Sequence, residues 1–382
     1  MPFRIPLLIF TAVLLTGQGL AAPLEMPGEL RQAGIEIVPF EGSLGATAQQ
    51  KVQEELLASG DYFLQDPGPR AYKIGATASG GKIHGTLTNP AGKVLFSETY
   101  DQQSLHLNVL QFCEEIHGAI FSRAGIGLTQ IAFVSDATGN KEIFMCDADG
   151  SNLRQVTRDH ATCASPSLRN DALLLAFTSY VSGYPDIYMI DLRTNARRRI
   201  VNAPGTNSGA AFSPDGQRLA MTMSFSGSPE LYVTNPGGLG GQRLTSTNWA
   251  EASPAWSPDG KQLVFSANPT GKPQLFIMAS TGGVPTPLST GYSHATEPNW
   301  SPDGQHIAAT VKIKGRKSIV ITNLTTSRTH LLAEGEDPCW GVDGRHLVFV
   351  QDGRLIVHHV LQGTSRTVVS NLGHLTQPSW SR

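Results

Sequence analysis

Short apolar runs recur along the second two-thirds of this chain, each bounded by glycine, proline, asparagine or aspartate, a pattern that predicts strands joined by tight turns. One set reads Ile131-Ala132-Phe133-Val134, Leu174-Leu175-Ala176-Phe177, Leu219-Ala220-Met221, Leu263-Val264-Phe265, Ile307-Ala308-Ala309 and Leu347-Val348-Phe349. A second set follows it, from Glu142-Ile143-Phe144-Met145 to Arg354-Leu355-Ile356-Val357, and a third from Arg154-Gln155-Val156-Thr157 to Arg366-Thr367-Val368-Val369. Ahead of the first set stands a repeated phrase: Ala211-Phe212-Ser213-Pro214-Asp215-Gly216, Ala255-Trp256-Ser257-Pro258-Asp259-Gly260 and Asn299-Trp300-Ser301-Pro302-Asp303-Gly304. Weaker copies lie at Ser167-Leu168, Cys339-Trp340 and Ser379-Trp380, so the anchor positions 168, 212, 256, 300, 340 and 380 are separated by 44, 44, 44, 40 and 40 residues. Proline presets the first corner of a type I turn, aspartate bonds its own backbone at the second, and glycine supplies the positive φ that returns the chain as a hairpin.

Four strands per unit, at roughly 40 to 45 residues per repeat, is the pattern of a β-propeller blade. The first unit lacks an anchor strand, and the chain ends on a spare one, Gln377-Pro378-Ser379-Trp380-Ser381-Arg382. The C-terminal strand is therefore expected to complete the first blade and close a six-bladed ring over 125–382, hiding the sheet edges.

Upstream the period changes. Residues 23–124 predict a small α/β domain: a strand at Ile35–Phe40, a helix over Ala46–Ala58, strands at Tyr72–Ile74, Ile83–Leu87 and Val94–Ser97, the last two joined through Asn89-Pro90-Ala91-Gly92, and a final helix. Val109, Phe112, Cys113, Ile116 and Ile120 share one face of that helix, and Gly125-Ile126-Gly127 marks the junction. Residues 1–22 read as a cleavable signal peptide. Arg4 precedes an apolar stretch from Ile5 to Leu15, and Gly17-Gln18-Gly19-Leu20-Ala21-Ala22 offers small residues for cleavage. No later segment has the roughly 20 apolar residues of a membrane span, which predicts a periplasmic protein without direct membrane insertion.

Composition sharpens this by exclusion. With 29 Lys and Arg against 31 Asp and Glu, 40 Gly and 24 Pro in 382 residues, the chain is neither a basic nucleic-acid binder nor a disordered tail. Cys113, Cys146, Cys163 and Cys339 show no metal spacing, and their pairing cannot be read from sequence. No nucleophile elbow, His-Glu-x-x-His, Walker loop or dinucleotide glycine pattern occurs, so no catalytic, cofactor or metal residue is assigned. Asp147-Ala148-Asp149-Gly150-Ser151 begins like a calcium loop, but Arg158 stands where the closing Glu belongs, and a hairpin turn is expected instead. His306, His346, His358 and His359 are expected on exposed strand positions.

Loops crossing from the outer strand of one blade to the inner strand of the next gather at one mouth of the channel. They carry Thr206-Asn207-Ser208, Asn248-Trp249-Ala250-Glu251-Ala252, His294-Ala295-Thr296-Glu297 and Glu334-Gly335-Glu336-Asp337. Loops on a rigid scaffold concentrate binding residues, so Thr206, Asn207, Ser208, Trp249, Glu251, Ala252, His294, Thr296 and Glu297 are the candidate partner contacts. Trp249 reads either as an interface anchor or as a side chain packed between blades, and the acidic residues as a solvated rim. The competing enzyme reading, a lactonase or lyase working in the channel, would need inward carboxylates such as Glu142, Asp186 and Glu297 to converge.

The signal segment, the small domain with Ile37-Val38-Pro39-Phe40-Glu41-Gly42 and Gly92-Lys93-Val94-Leu95, and the Trp-Ser-Pro-Asp-Gly blades together resemble the TolB family of the Tol-Pal system across nearly the whole mature chain. That resemblance implies a non-enzymatic periplasmic hub without cofactor. It would bind the peptidoglycan-associated lipoprotein Pal at the mouth, link to TolA and other inner-membrane Tol proteins, and support outer-membrane integrity and constriction during division. By position, the family's lipoprotein-binding loops fall on Thr206-Asn207-Ser208-Gly209 and Glu251-Ala252-Ser253, with different residue types. The N-terminal domain is shorter than the family's, and Pro23-Leu24-Glu25-Met26-Pro27-Gly28 bears little likeness to its TolA-engaging peptide.

Overall fold

A computed structural model of the chain describes residues 32–381. The signal segment and Pro23–Gly28 lie outside the described residues.

The N-terminal domain is a five-stranded sheet under two helices. Its elements are β1 (Ala33–Ile37), α1 (Gly45–Ala58), β2 (Tyr62–Leu64), β3 (Tyr72–Ser79), β4 (Lys82–Thr88), β5 (Val94–Tyr100) and α2 (Leu105–Phe121). The strand order is β2-β1-β3-β4-β5, with β1 parallel to β2 and β3, and the rest antiparallel. Sequence reading missed only β2, which is too short to show a period. The Asn89 side chain closes the β4–β5 turn by accepting from Ala91 N at 3.0 Å and Lys93 N at 2.9 Å. Ser104 caps α2 through Leu107 N. The helical stripe with Val109, Phe112, Cys113 and Ile116 packs on Ile35, Ile74, Ile83 and Leu87 in a closed core. A Cβ at Gly85 would fall 2.4 Å from the Phe112 ring, so a strand position that wants a side chain carries none.

Residues 130–380 form six four-stranded antiparallel sheets. Each blade runs from an inner strand, Cys163–Leu168 in blade two, through Leu174–Ser179 and Asp186–Asp191 to an outer strand, Arg197–Val201. The ring closes as expected: Leu375–Trp380 pairs with Gln130–Ser135, matching Leu375 to Ser135 and Trp380 to Ile131. The Ser-Pro-Asp-Gly turns take the predicted form. In blade three Gly216 N bonds Ser213 O at 2.8 Å, Gly216 has φ 66°, and the Asp215 carboxylate accepts from Gln217 N at 3.0 Å. The aromatic anchors pack between blades, and the Trp256 indole N–H donates to Ala211 O of the preceding blade at 3.0 Å.

Two kinds of turn, Ser-Pro-Asp-Gly and third-to-outer-strand, share one face of the ring, the base. The N-terminal domain docks there. The Arg345 guanidinium donates to Asp61 at 2.6 Å, Gln362 donates to Gly60 O, and Ser151 Oγ meets His106 Nε2 at 3.0 Å. Asp61 is 1% exposed and also takes Arg123 at 2.8 Å, with His117 and His359 each at 3.8 Å. Burial pushes its pKa up, but His359, Arg123 and Arg345 outweigh that and hold the pKa at about 2.

The histidine expectation fails here. His306, His346, His358 and His359 are all buried. The slot after the turn faces the next blade, as Arg218 shows by lying 4.4 Å over the Trp256 ring. His306 fills it against Asn323 at 3.1 Å, and His346 against Asp343 at 2.6 Å. Third strands are covered on both faces, so alternation along Arg354–His359 says nothing about solvent. The His358 ring bonds Ser365 at 2.8 Å, and burial followed by the neighbouring His359 lowers its pKa to about 4.

The four cysteines are buried, and none is joined in a disulfide. Burial pushes the Cys146 and Cys163 thiols up to about 12, which makes them packing groups rather than nucleophiles. Among the described residues no helix is long and apolar enough to cross a membrane.

Candidate binding site at the mouth and channel of the ring

On the face opposite the base, each crossing loop is tied to the hairpin between second and third strands of the next blade in sequence. Tyr180 N donates to Thr162 O at 3.0 Å, Ser224 N to Thr206 O at 3.0 Å, and Asn268 N to Ala250 O at 3.2 Å. The hairpins thus form a raised rim around the loops. In blades two and three that rim is apolar: Tyr184 is 72% exposed and Phe225 51%, with Tyr180 and Val181 beside them. Phe225 is propped by the Tyr232 ring at 5.2 Å. Adjacent exposed aromatics on a rigid rim suit a partner surface. They lie on hairpins within a blade, outside the crossing loops that carry the predicted contacts. The available signal was three large apolar residues in a turn whose geometry asks for none.

The nine predicted contacts divide by depth. Ala252 is exposed, and Thr206, Ser208, His294, Thr296 and Glu297 are half-buried. Asn207 and Glu251 belong to the interior. Asn207 donates to Ala203 O at 2.7 Å and Asp186 at 3.2 Å. Glu251, 1% exposed, accepts from Thr247 Oγ1 at 2.8 Å, Thr245 Oγ1 and Leu231 N at 3.2 Å. Each opens an inner strand, where its side chain turns back to tie the crossing loop down, so the expected solvated acidic rim is corrected at Glu251, and it is corrected also at Asp337, which is buried on its own inner strand. Burial raises that carboxyl's pKa despite the two threonine bonds. Trp249 is half-buried and packs tilted on Phe276 at 5.3 Å, within the blade-four cluster, which favours packing over interface anchoring. Burial and then Lys312 lower the His294 pKa.

Below the rim lies a channel cavity of about 210 Å³, lined by the six inner strands. Each inner strand carries a bulge, and at each bulge one residue has positive φ: Ser165, Gly209, Ser253, Glu297, Asp337 and Gln377. This ring follows the 44-and-40 spacing, and proline comes next in five of the six blades. A bulge re-aims its side chains. Here the turned residues reach sideways: Gln377 Oε1 accepts from Ser165 N at 2.8 Å, and Asp337 Oδ2 accepts from Gln377 N at 2.7 Å. Burial first, then the neighbouring Glu297 carboxylate, raises the Asp337 pKa well above the ordinary range.

The carboxylates required by an enzyme do not converge. Of the three named, only Glu297 lines the channel. Glu142 bonds Thr157 and His160 N within blade one, and Asp186 bonds Ser182 at 2.8 Å and Arg199 at 3.2 Å. Two triads of metal-type ligands lie elsewhere: Glu142, Asp159 and Cys163, and His106, Asp147 and Asp149. In the first, Arg197 already forks onto Asp159, with Nη2 at 2.8 Å, and occupies a cation's place.

Residues 119–382 match the family described as TolB beta propeller domain. A protein described as a TolB homolog from Chlorobaculum tepidum is 35% identical over 83 residues, 21% of this chain and 19% of that protein. A Tol-Pal system protein TolB from Desulfosudis oleivorans is 32% identical over 80 residues, 21% of this chain and 18% of the other. The chain thus matches only about a fifth of the length of these curated relatives. The crystal structure of TolB from Acinetobacter baumannii superposes with a TM-score of 0.79 at 22% identity, covering 92% of this chain and 97% of that one, a likeness of fold.

Proposed function

The chain belongs to the TolB β-propeller family, and on that premise we propose that it is a non-enzymatic, periplasmic binding hub of the Tol-Pal system, with its open mouth taking the lipoprotein Pal. The observation that carries this reading is the asymmetry of the ring: the base is covered by the chain's own N-terminal domain, while the mouth presents Tyr184 and Phe225 to solvent. Aromatic anchors of this kind dominate binding energy when a partner desolvates them. Export rests on the 1–22 segment. The link to TolA and the role in outer-membrane constriction extend the same reading.

Titration calorimetry of the mature chain with the soluble domain of Pal tests it. Saturable binding that weakens at least about tenfold in a Tyr184→Ala, Phe225→Ala double variant, roughly 1.4 kcal/mol, is expected. No binding by a folded wild type would overturn the proposal.

A further inference from the structure

We propose that His106, Asp147 and Asp149 form a binding site for a divalent first-row cation of the zinc type, bridging the N-terminal domain to blade one. The three donors come from two domains. His106 lies in the first turn of α2, and the two aspartates lie on the turn that follows the third strand Glu142–Asp147. The His106 Nε2 faces Asp149 Oδ2 at 3.6 Å and Asp147 Oδ2 at 3.9 Å. Both separations exceed a hydrogen bond. They lie close to the donor-to-donor edge of a tetrahedral site, about 3.3 Å for metal–ligand bonds of about 2.0 Å.

The three ligand atoms lie within 4.8 Å of one another. Asp147 Oδ1 takes Gln130 at 3.0 Å and its Oδ2 takes Asn152 at 2.7 Å, while Asp149 Oδ1 takes Ser151 N at 2.8 Å. Ser151 Oγ, 3.0 Å from His106 Nε2 and 3.4 Å from Asp147 Oδ2, offers a fourth donor. Among the described residues no lysine or arginine pairs with either aspartate, whereas the matching turn of blade two neutralises Asp191 with Arg193 at 2.9 Å. One imidazole with carboxylates suits zinc over magnesium or calcium. Side-chain exposures of 25%, 10% and 23% leave an entry path. A bound cation would tie α2 to the base of the ring and resist parting of the domains.

The test is calorimetric titration of the mature, metal-stripped chain with zinc chloride, and separately with calcium chloride, beside His106→Ala and Asp149→Asn. The expected result is one zinc per chain, bound at least tenfold more weakly in both variants. Affinity should fall on acidification as protons compete for Nε2, and zinc should raise the melting temperature of the wild type alone. Should His106→Ala misfold, the half-exposed Asp149→Asn carries the test by itself. Absence of saturable zinc binding, equal binding by wild type and Asp149→Asn, or calcium binding indifferent to His106 would each overturn the proposal.

Discussion

The two faces of the ring are made from the same repeat, yet they meet water differently. At the base, Asp61 brings Arg123 and Arg345 together beneath the N-terminal domain and is 1% exposed. At the mouth, the hairpins between second and third strands carry Tyr180, Val181, Tyr184 and Phe225, which are exposed among the described residues. Six-fold backbone symmetry therefore assigns no role. Roles arise where side chains break it: a domain in cis covers one face, while the other turns aromatic side chains to solvent.

Cutting away Gln377–Arg382 should have the largest effect on both faces. It removes Trp380 and most of the strand that pairs with Gln130–Ser135, so a loss above about 4 kcal/mol, read as collapse of the cooperative melt, is expected. Asp61→Ala breaks the base alone. Two arginines are left without their buried partner, and denaturant unfolding should show a loss of about 3 to 5 kcal/mol, with faster proteolysis near residue 125. The same contact carries a pH signature. Because the folded carboxyl sits at about 2, below its ordinary 3.8, its contribution is complete above about pH 4 and disappears as the pH falls from there toward 2.

Asp337→Asn sharpens the contrast from the channel. A carboxyl whose folded pKa is raised stabilises the fold least once the pH passes that value, so wild-type stability should decline with rising pH relative to the variant. A flat difference across pH 5 to 9 would contradict the raised Asp337 pKa. The smallest effect on stability belongs to Tyr184→Ala, which should change unfolding by no more than about 0.5 kcal/mol while weakening binding at the mouth.

The repeat was legible because its turn chemistry is local: Pro214, Asp215 and Gly216 specify their own bend whatever surrounds them. The ring of bulge residues leaves a signal in the same 44-and-40 spacing with its trailing prolines, but that spacing alone names no bulge, and the sequence reading did not single it out. Depth was not legible. Glu251 read as a rim residue, and Trp249 as either an interface anchor or a packed side chain, because crossing loops are usually wet, yet Thr245, Thr247 and Phe276 draw them inward. His358 and His359 misled for a related reason, since strand alternation reports exposure only where one face is open.

What the sequence determined by itself is the number of blades, their turns and the closing strand, all of which follow from periodicity and local backbone preference. Only the tertiary structure decided which polar groups meet: Asp61 with Arg345 across 284 residues, Asp337 with Gln377, and His106 with Asp149. Burial and charge pairing depend on what packs over a residue, and in a ring with a docked domain that neighbour comes from a distant part of the chain.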